Sequence, residues 1–259
     1  MANRTSRADD GSRELLRRLS GIEGWLHEDE ALETFRSARD LEPRDGGLTI
    51  VEIGSWKGRS TIVLATALEL SGHDGRVIAI DPHTGNVEHV RRWREVDTFE
   101  EFLANLDRAG VRGRVEPRRA SSHEAHVGVP DESVDLLFID GSHEYEDVVA
   151  DIDLWSSKLR APATVIFNDS SWPGVYRALR ERVVRRDAPY RHPRLVRSTL
   201  FVRYDPRSSP AAGERREWVS ARIVLCSRAA AHRIVPRLPR WAKEAGNRLT
   251  ARLTSRRRA

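Results

Sequence analysis

The sequence has a single cysteine, Cys226, which excludes an intrachain disulfide framework and a cysteine-built zinc site. No apolar run approaches the roughly 18 residues of a membrane-spanning helix. Residues 1–10 are polar and charged and lack the apolar stretch of a secretory signal. Together these absences point to a reducing, cytoplasmic compartment. Internal repeats are also lacking, and no low-complexity block precedes the C-terminal tail. What is present is a chain of 259 residues, 39% hydrophobic and 32% charged, enough to bury the core of one sizeable domain with an appendage. The net charge of +5 is unevenly spread. Residues 206–259 carry fourteen Lys/Arg against three Asp/Glu, a net of +11, so residues 1–205 carry −6. An acidic body with a basic tail gives no ground for nucleic-acid binding by the body.

The first dozen residues read as disordered. Helices are predicted over Ser12–Leu19 and Glu28–Ala38, joined by a hinge at Gly21–Leu26. A β-branched run at Leu48–Ile53 then reads as a buried strand. Further strands are predicted at Arg76–Ile80, Arg114–Glu116, Val134–Ile139, Thr164–Phe167 and Ser198–Arg203. Helices are predicted at Ser60–Leu70, Thr98–Ala109, Tyr145–Leu159 and Val175–Val184. This alternation predicts an α/β fold: a Rossmann-like, doubly wound, mainly parallel sheet with N-terminal helices and a basic C-terminal tail. The expected organisation is an N-terminal helical segment (1–45) acting as lid or cap, a catalytic domain (46–205) and a basic extension (206–259).

In such sheets ligands bind at the carboxyl ends of the strands, where the informative residues cluster. The first strand runs through Glu52 into a turn containing Gly54, Ser55 and Gly58, then a helix. Glycines there let the backbone approach a ligand, and the helix start offers free N–H groups. The spacing is Gly-x-x-x-Gly, not the Gly-x-Gly-x-x-Gly of dinucleotide sites. A tight turn with no ligand is the alternative. Asp81 ends the second strand, 27 residues beyond Gly54, where a carboxylate can hold both ribose hydroxyls. Glu52 inside an apolar strand is an oddity, since a buried carboxylate needs partners.

Val51-Glu-Ile-Gly-Ser-x-x-Gly-Arg-Ser60, followed by Ile80-Asp-Pro82, resembles the class I S-adenosylmethionine-dependent methyltransferases. Phe138-Ile-Asp-Gly-Ser-His-Glu-Tyr145 resembles the branch holding metal-dependent macrolide-sugar O-methyltransferases and cephalosporin-hydroxylase-like proteins. The resemblance covers roughly residues 50–204. It implies that Gly54, Ser55 and Gly58 line the methionine part of the cofactor, that Glu52 supports its amino-acid end, and that Asp81 holds the ribose. Ser121 and Ser122 fall where the adenine is held, Ser122 the better placed; both read equally well as a helix N-cap.

Asp140 and Asp169 end adjacent predicted strands, which lie about 4.8 Å apart in a sheet. With the Asn168 amide they form an all-oxygen set suited to Mg²⁺, Mn²⁺ or Ca²⁺. The resemblance implies a divalent metal, most simply Mg²⁺, held by Asp140, Asn168 and Asp169, with Asn168 replacing the branch's usual carboxylate and weakening the site. Helix capping or pocket lining without metal is the alternative. His143, three residues beyond Asp140, is suited to take a proton at neutral pH, and the resemblance assigns it the role of base, with Asp140 able to orient it. A surface or capping histidine is the bland reading. His83 is a candidate for the pocket rim. His73, His89, His123 and His126 read as surface histidines, and Trp25, Trp56 and Trp172 as packing or an acceptor wall.

The implied activity is O-methyl transfer from S-adenosylmethionine to a hydroxylated small molecule or sugar, probed against three rivals: a nucleotide-cofactor oxidoreductase, a non-catalytic cofactor-binding scaffold acting through its tail, and a nucleic-acid methyltransferase. The tail is apolar at intervals over Val219–Val235, broken at Pro236 and Pro239, and basic over Arg240–Arg258 with Trp241 and Leu249. It reads as a solvated end, a membrane-surface helix or a partner-docking segment. A homo-oligomer is compatible with the sequence.

Overall fold

The computed structural model describes residues 2–85, 96–185, 187–209 and 214–234. Two helices, α1 (Ala2–Leu19) and α2 (Glu28–Arg39), precede β1 (Leu48–Ile53), α3 (Arg59–Ser71) and β2 (Gly75–Ile80). Then come α4 (Phe99–Ala109), β3 (Val115–Arg118), a single-turn α5 (Ser122–Ala125) and β4 (Val134–Ile139). The chain continues through α6 (Tyr145–Ser156), β5 (Leu159–Phe167), α7 (Pro173–Arg182), β6 (Tyr190–Val196), β7 (Thr199–Tyr204) and α8 (Glu214–Ile234). The seven strands form one sheet in the order β3-β2-β1-β4-β5-β7-β6. All neighbours are parallel except β5–β7 and β6–β7.

Alternate strand residues feed two cores, because successive side chains leave opposite faces of the sheet. Ile50, Val77, Leu136, Phe138 and Ile166 pack under α1–α4. Val51, Ile78, Leu137, Ile139, Val165 and Phe167 pack under α6, α7 and α8. A parallel sheet covered on both faces needs such continuous apolar strands. The direction of winding reverses between β1 and β4, and that switch point sets where a ligand crevice opens.

Several boundaries differ from expectation. Helix α1 begins at Ala2, so residues 2–12 are helical, and Gly11 sits against Phe35 with Leu15 fully buried. Leu159 ends no helix; it opens β5, pairing with Val134 on β4. Strand β6 is not among the predicted strands; it is an edge strand with a register break between Arg191 and Arg194, the setting that tolerates proline and charge. The start of the basic tail is structured. Leu225 is fully buried, with Ala221 and Ala229 one turn either side, against β6 and α7. Glu214 at the start of α8 accepts the His192 N–H at 2.9 Å. Val219 and Ile223 remain exposed on the outer side. Pro236, Pro239, Trp241, Leu249, the segment Arg240–Arg258 and His89 lie outside the described residues. Among the described residues no helix is long and apolar enough to cross a membrane.

Candidate active site

A cavity of about 1190 Å³ opens over the carboxyl ends of β1, β2, β4 and β5. Pockets that enclose one drug-sized ligand run to about 300–1,000 Å³, and this one lies above that range. Six carboxylates line it (Glu28, Asp81, Asp140, Asp147, Asp151 and Asp169) against one guanidinium, Arg59. Arg59 is itself committed to the roof, donating to the carbonyls of Ile22 at 2.9 Å, Leu26 at 2.9 Å and Leu19 at 3.3 Å. The cavity is therefore acidic and favours a cation.

At the β1 end, Gly54 has φ +86°, and a Cβ there would lie 2.3 Å from the Asp140 carbonyl oxygen. Its lack of a side chain serves the closure of β1 onto the β4 loop as well as the approach of a ligand. Ser55 is buried with its hydroxyl unpartnered and on the cavity wall. Gly58, at φ +90°, caps the start of α3 against Phe102 and does not line the cavity. Glu52 also lies off the cavity wall. It is fully buried, accepts the Thr61 hydroxyl at 2.5 Å through Oε2, and leaves Oε1 without a partner. Burial, with a smaller push from Asp81, raises its pKa to about 7 against the pull of Ser60 and Thr61.

Asp81 is held by two backbone amides. The Trp56 N–H donates to Oδ2 at 2.8 Å and the His83 N–H to Oδ1 at 2.6 Å. Each oxygen keeps acceptor capacity toward the cavity. His83 does not reach the rim: it is buried between Phe99 and Phe102 with Nδ1 2.9 Å from the Thr98 hydroxyl, and burial holds its pKa down. Beyond β3, Ser121 caps α5 in a reciprocal pair with Glu124, and Ser122 donates to Asp151. Both serines also line the cavity. Burial raises the Asp151 pKa to about 6, opposed by Ser122. Sequence reasoning missed Asp151; its signal was a charge on the inner face of an amphipathic helix, one turn from Val148 and beside Ile152.

At the ends of β4 and β5, Asp140, His143 and Asp169 bring one donor atom each within 4.8 Å of one another. His143 Nε2 is 3.3 Å from Asp169 Oδ2, and its ring stacks on Trp172 with centroids 4.4 Å apart. His143 Nδ1 is buried and unpartnered. Among the described residues no Lys or Arg forms an ion pair with either aspartate. Burial and the neighbouring Asp169 charge push the Asp140 pKa well above the usual carboxylate range. Two carboxylates and an imidazole without a balancing cation fit a divalent metal. Asn168 departs from the expected oxygen set. Its amide N–H donates to Asp140 Oδ1 at 3.0 Å, and its oxygen accepts from the Thr199 hydroxyl at 2.6 Å.

The roof comes from the α1–α2 connection. Trp25 packs on Trp56 with centroids 5.5 Å apart, and Trp25, His27 and Glu28 line the cavity, as does Trp172. All three tryptophans thus border it. Sequence reasoning missed His27, Glu28 and Arg59, although Arg59 stands inside the Gly-x-x-x-Gly-Arg-Ser motif.

The fold is a Rossmann-like domain whose strand-end cavity opens at the switch point of the sheet. Residues 51–170 match the family Methyltransf_24, a methyltransferase domain. The matched segment runs from within β1 to just past β5. The chain is 32% identical over 130 residues, 50% of its length, to the uncharacterized protein y4gI of Sinorhizobium fredii (strain NBRC 101917 / NGR234), and that match covers 13% of the relative's length. The fold is similar to that of the O-methyltransferase NovP, with a TM-score of 0.59, 16% identity, and coverage of 70% of this chain and 83% of that one. It is also similar to the O-methyltransferase from Bacillus cereus in complex with SAH, with a TM-score of 0.50, 16% identity, and coverage of 76% and 91%.

Proposed function

We propose that the protein is an O-methyltransferase that moves a methyl group from S-adenosylmethionine to a hydroxyl of a small molecule or sugar, assisted by a divalent cation. The observation that carries this reading is the six-to-one excess of carboxylates over guanidinium in the strand-end cavity. A pyrophosphate-bearing dinucleotide would meet repulsion there, whereas a sulfonium meets attraction. The solved structures similar in fold include O-methyltransferases, one of them with SAH bound.

S-adenosylmethionine, when bound, supplies the activated methyl group, so this chain's residues need to bind, align and move one proton. Asp81 takes the ribose hydroxyls through the two oxygens that the Trp56 and His83 amides hold in place. Gly54, the Ser55 hydroxyl and the start of α3 hold the methionine end, with Glu52 and Gly58 supporting the turn from behind. Ser121 and Ser122 border the adenine. His143, its ring held by the stack on Trp172, takes the acceptor's proton at Nε2 in the tautomer that carries its hydrogen on Nδ1. Asp140, Asp169 and Asn168 would hold Mg²⁺ or Mn²⁺, which when bound would lower the pKa of the acceptor hydroxyl and neutralise its developing charge. Trp25, Trp56 and Trp172 exclude water and wall the acceptor.

The test is transfer of a labelled methyl group to a panel of phenolic, catecholic and glycosidic acceptors, with Mg²⁺, with Mn²⁺ and with chelator. Transfer to an oxygen that chelator suppresses supports the reading; SAH binding with no transfer to any acceptor would favour the scaffold reading instead.

A further inference from the structure

A buried carboxylate on the N-terminal helix is wired to the cation site, through a hydroxyl that faces two acceptors with one proton. Glu30 on α2 is 1% exposed. Its Oε1 accepts the Ser198 N–H at 3.0 Å and the Ser198 hydroxyl at 2.9 Å, and Oε2 accepts the His27 N–H at 3.1 Å. Among the described residues no cation pairs with it. The Thr199 hydroxyl, fully buried, lies 3.0 Å from Glu30 Oε1 and 2.6 Å from Asn168 Oδ1. A hydroxyl has one hydrogen to give, so it serves one of these oxygens at a time.

The two choices have opposite consequences at Asp140. If Thr199 donates to Asn168, the amide oxygen points inward and its N–H donates to Asp140 Oδ1, the arrangement observed at 3.0 Å. That amide faces the site as a donor and repels a cation. If Thr199 donates to Glu30, a charged and therefore stronger acceptor, the inner amide atom must be a donor. Turning the amide satisfies this: its N–H donates to the Thr199 oxygen, and its own oxygen faces Asp140. The heavy atoms scarcely move, since the two ends of an amide are nearly the same size and only the hydrogen-bond network tells them apart.

We propose that Glu30 is a positioning residue for the cation site. By offering Thr199 an alternative acceptor, it lets the Asn168 amide turn and present oxygen to a divalent cation beside Asp140. This rests on the metal-assisted reading above. It also explains how asparagine can occupy that position without closing the site, and why a carboxylate is buried at the junction of α2 with the β6–β7 turn. A carboxylate in place of the Asn168 amide would present oxygen in either orientation, so the role of Glu30 is specific to Asn168.

The experiment is Mn²⁺ titration of the full chain in the presence of SAH, with free Mn²⁺ read by its electron paramagnetic resonance signal. The proteins are wild type, Glu30→Gln, Asn168→Asp and the double variant. Glutamine removes the charged acceptor, so Glu30→Gln is expected to weaken Mn²⁺ binding about tenfold in the wild-type background and much less in the Asn168→Asp background, a coupling of the size seen within one hydrogen-bond network. Equal weakening in both backgrounds would mean only a lost charge or lost packing, and would overturn the proposal; so would no weakening in either. If wild type and Asn168→Asp both fail to bind Mn²⁺, the metal-assisted reading itself falls, and this inference with it. Should Glu30→Gln not fold, Thr199→Val breaks the same link at unchanged charge. A buried N–H without an acceptor is rarer than a bare carbonyl, so valine should hold the amide oxygen inward and weaken Mn²⁺ binding only with Asn168 present.

Discussion

Replacing Glu52 by Gln should flatten the pH dependence of stability in the cofactor-free protein. Glu52 sits inside β1, opposite Ala79 on β2 and Phe138 on β4, and is fully buried. Burial raises its pKa from 4.5 to about 7. An acid whose folded pKa is raised holds its proton more tightly when folded, so it costs nothing below the unfolded value and destabilises increasingly as pH rises through the folded value. A shift from 4.5 to about 7, at 1.36 kcal/mol per unit, is about 3 kcal/mol in full. Most of it, about 2 to 3 kcal/mol, develops between pH 5 and pH 8. Glutamine keeps an oxygen for the Thr61 hydroxyl and does not titrate. Urea unfolding of both proteins at intervals from pH 5 to 8 isolates the effect, because groups that titrate in both cancel in the difference. The expected result is that Glu52→Gln gains about 2 to 3 kcal/mol on wild type across that window. A difference that stays constant within about 0.5 kcal/mol, the usual scatter of independent contributions, would show that Glu52 is not held protonated and would refute the reasoning.

Other outcomes follow from the same geometry. Asp81→Ala removes a carboxylate whose hydrogen bonds to ribose are charge-assisted, at about 1.5–3 kcal/mol each; SAH affinity by calorimetry should fall about 100-fold or more, with some loss of thermal stability because the Trp56 and His83 amides lose their acceptor. His143→Ala should cut methyl transfer by about 10²–10⁴-fold, the range for a general base, while SAH binding stays within a few-fold of wild type. Ser122→Ala removes the hydrogen bond that holds the Asp151 pKa down, so the carboxyl-carbon resonance of Asp151 should titrate at higher pH than in wild type. Leu225→Ala should cost about 2–5 kcal/mol in chemical denaturation, because α8 is docked on β6 and α7; a change near zero would mean that the helix adds nothing to the core.

Much of the fold was legible because a doubly covered parallel sheet writes itself as apolar runs, and Leu48–Ile53 and Val134–Ile139 carry that pattern unbroken. The edge was not. In β6 the polar Arg191, His192 and Arg194 flank Pro193, a composition that edge strands tolerate and loops share. The tail, apolar at intervals over Val219–Val235, left a solvated end, a membrane-surface helix and a docking segment open, since a helix needs only Ala221, Leu225 and Ala229 in one line to dock. At the site, Gly54, Ser55, Asp81, Asp140, His143 and Asp169 could be listed from their strand-end positions and from the family resemblance. The cavity brings all six together. What the sequence could not express was direction. Glu52 and Gly58 lie off the cavity wall, and the Asn168 amide oxygen is held by Thr199, a residue 31 positions on. Roof residues Trp25, His27 and Glu28 enter only because Arg59 ties their loop down through three carbonyls, a contact across more than thirty residues.

The central claim is that the acidic strand-end cavity takes S-adenosylmethionine. Calorimetric titration of the full chain with S-adenosylhomocysteine and, separately, with NADH tests it most directly, each with Mg²⁺ and with chelator. Binding of S-adenosylhomocysteine alone, weakened by Asp81→Ala, is the result expected. Binding of NADH, or of neither ligand under any condition, would contradict it.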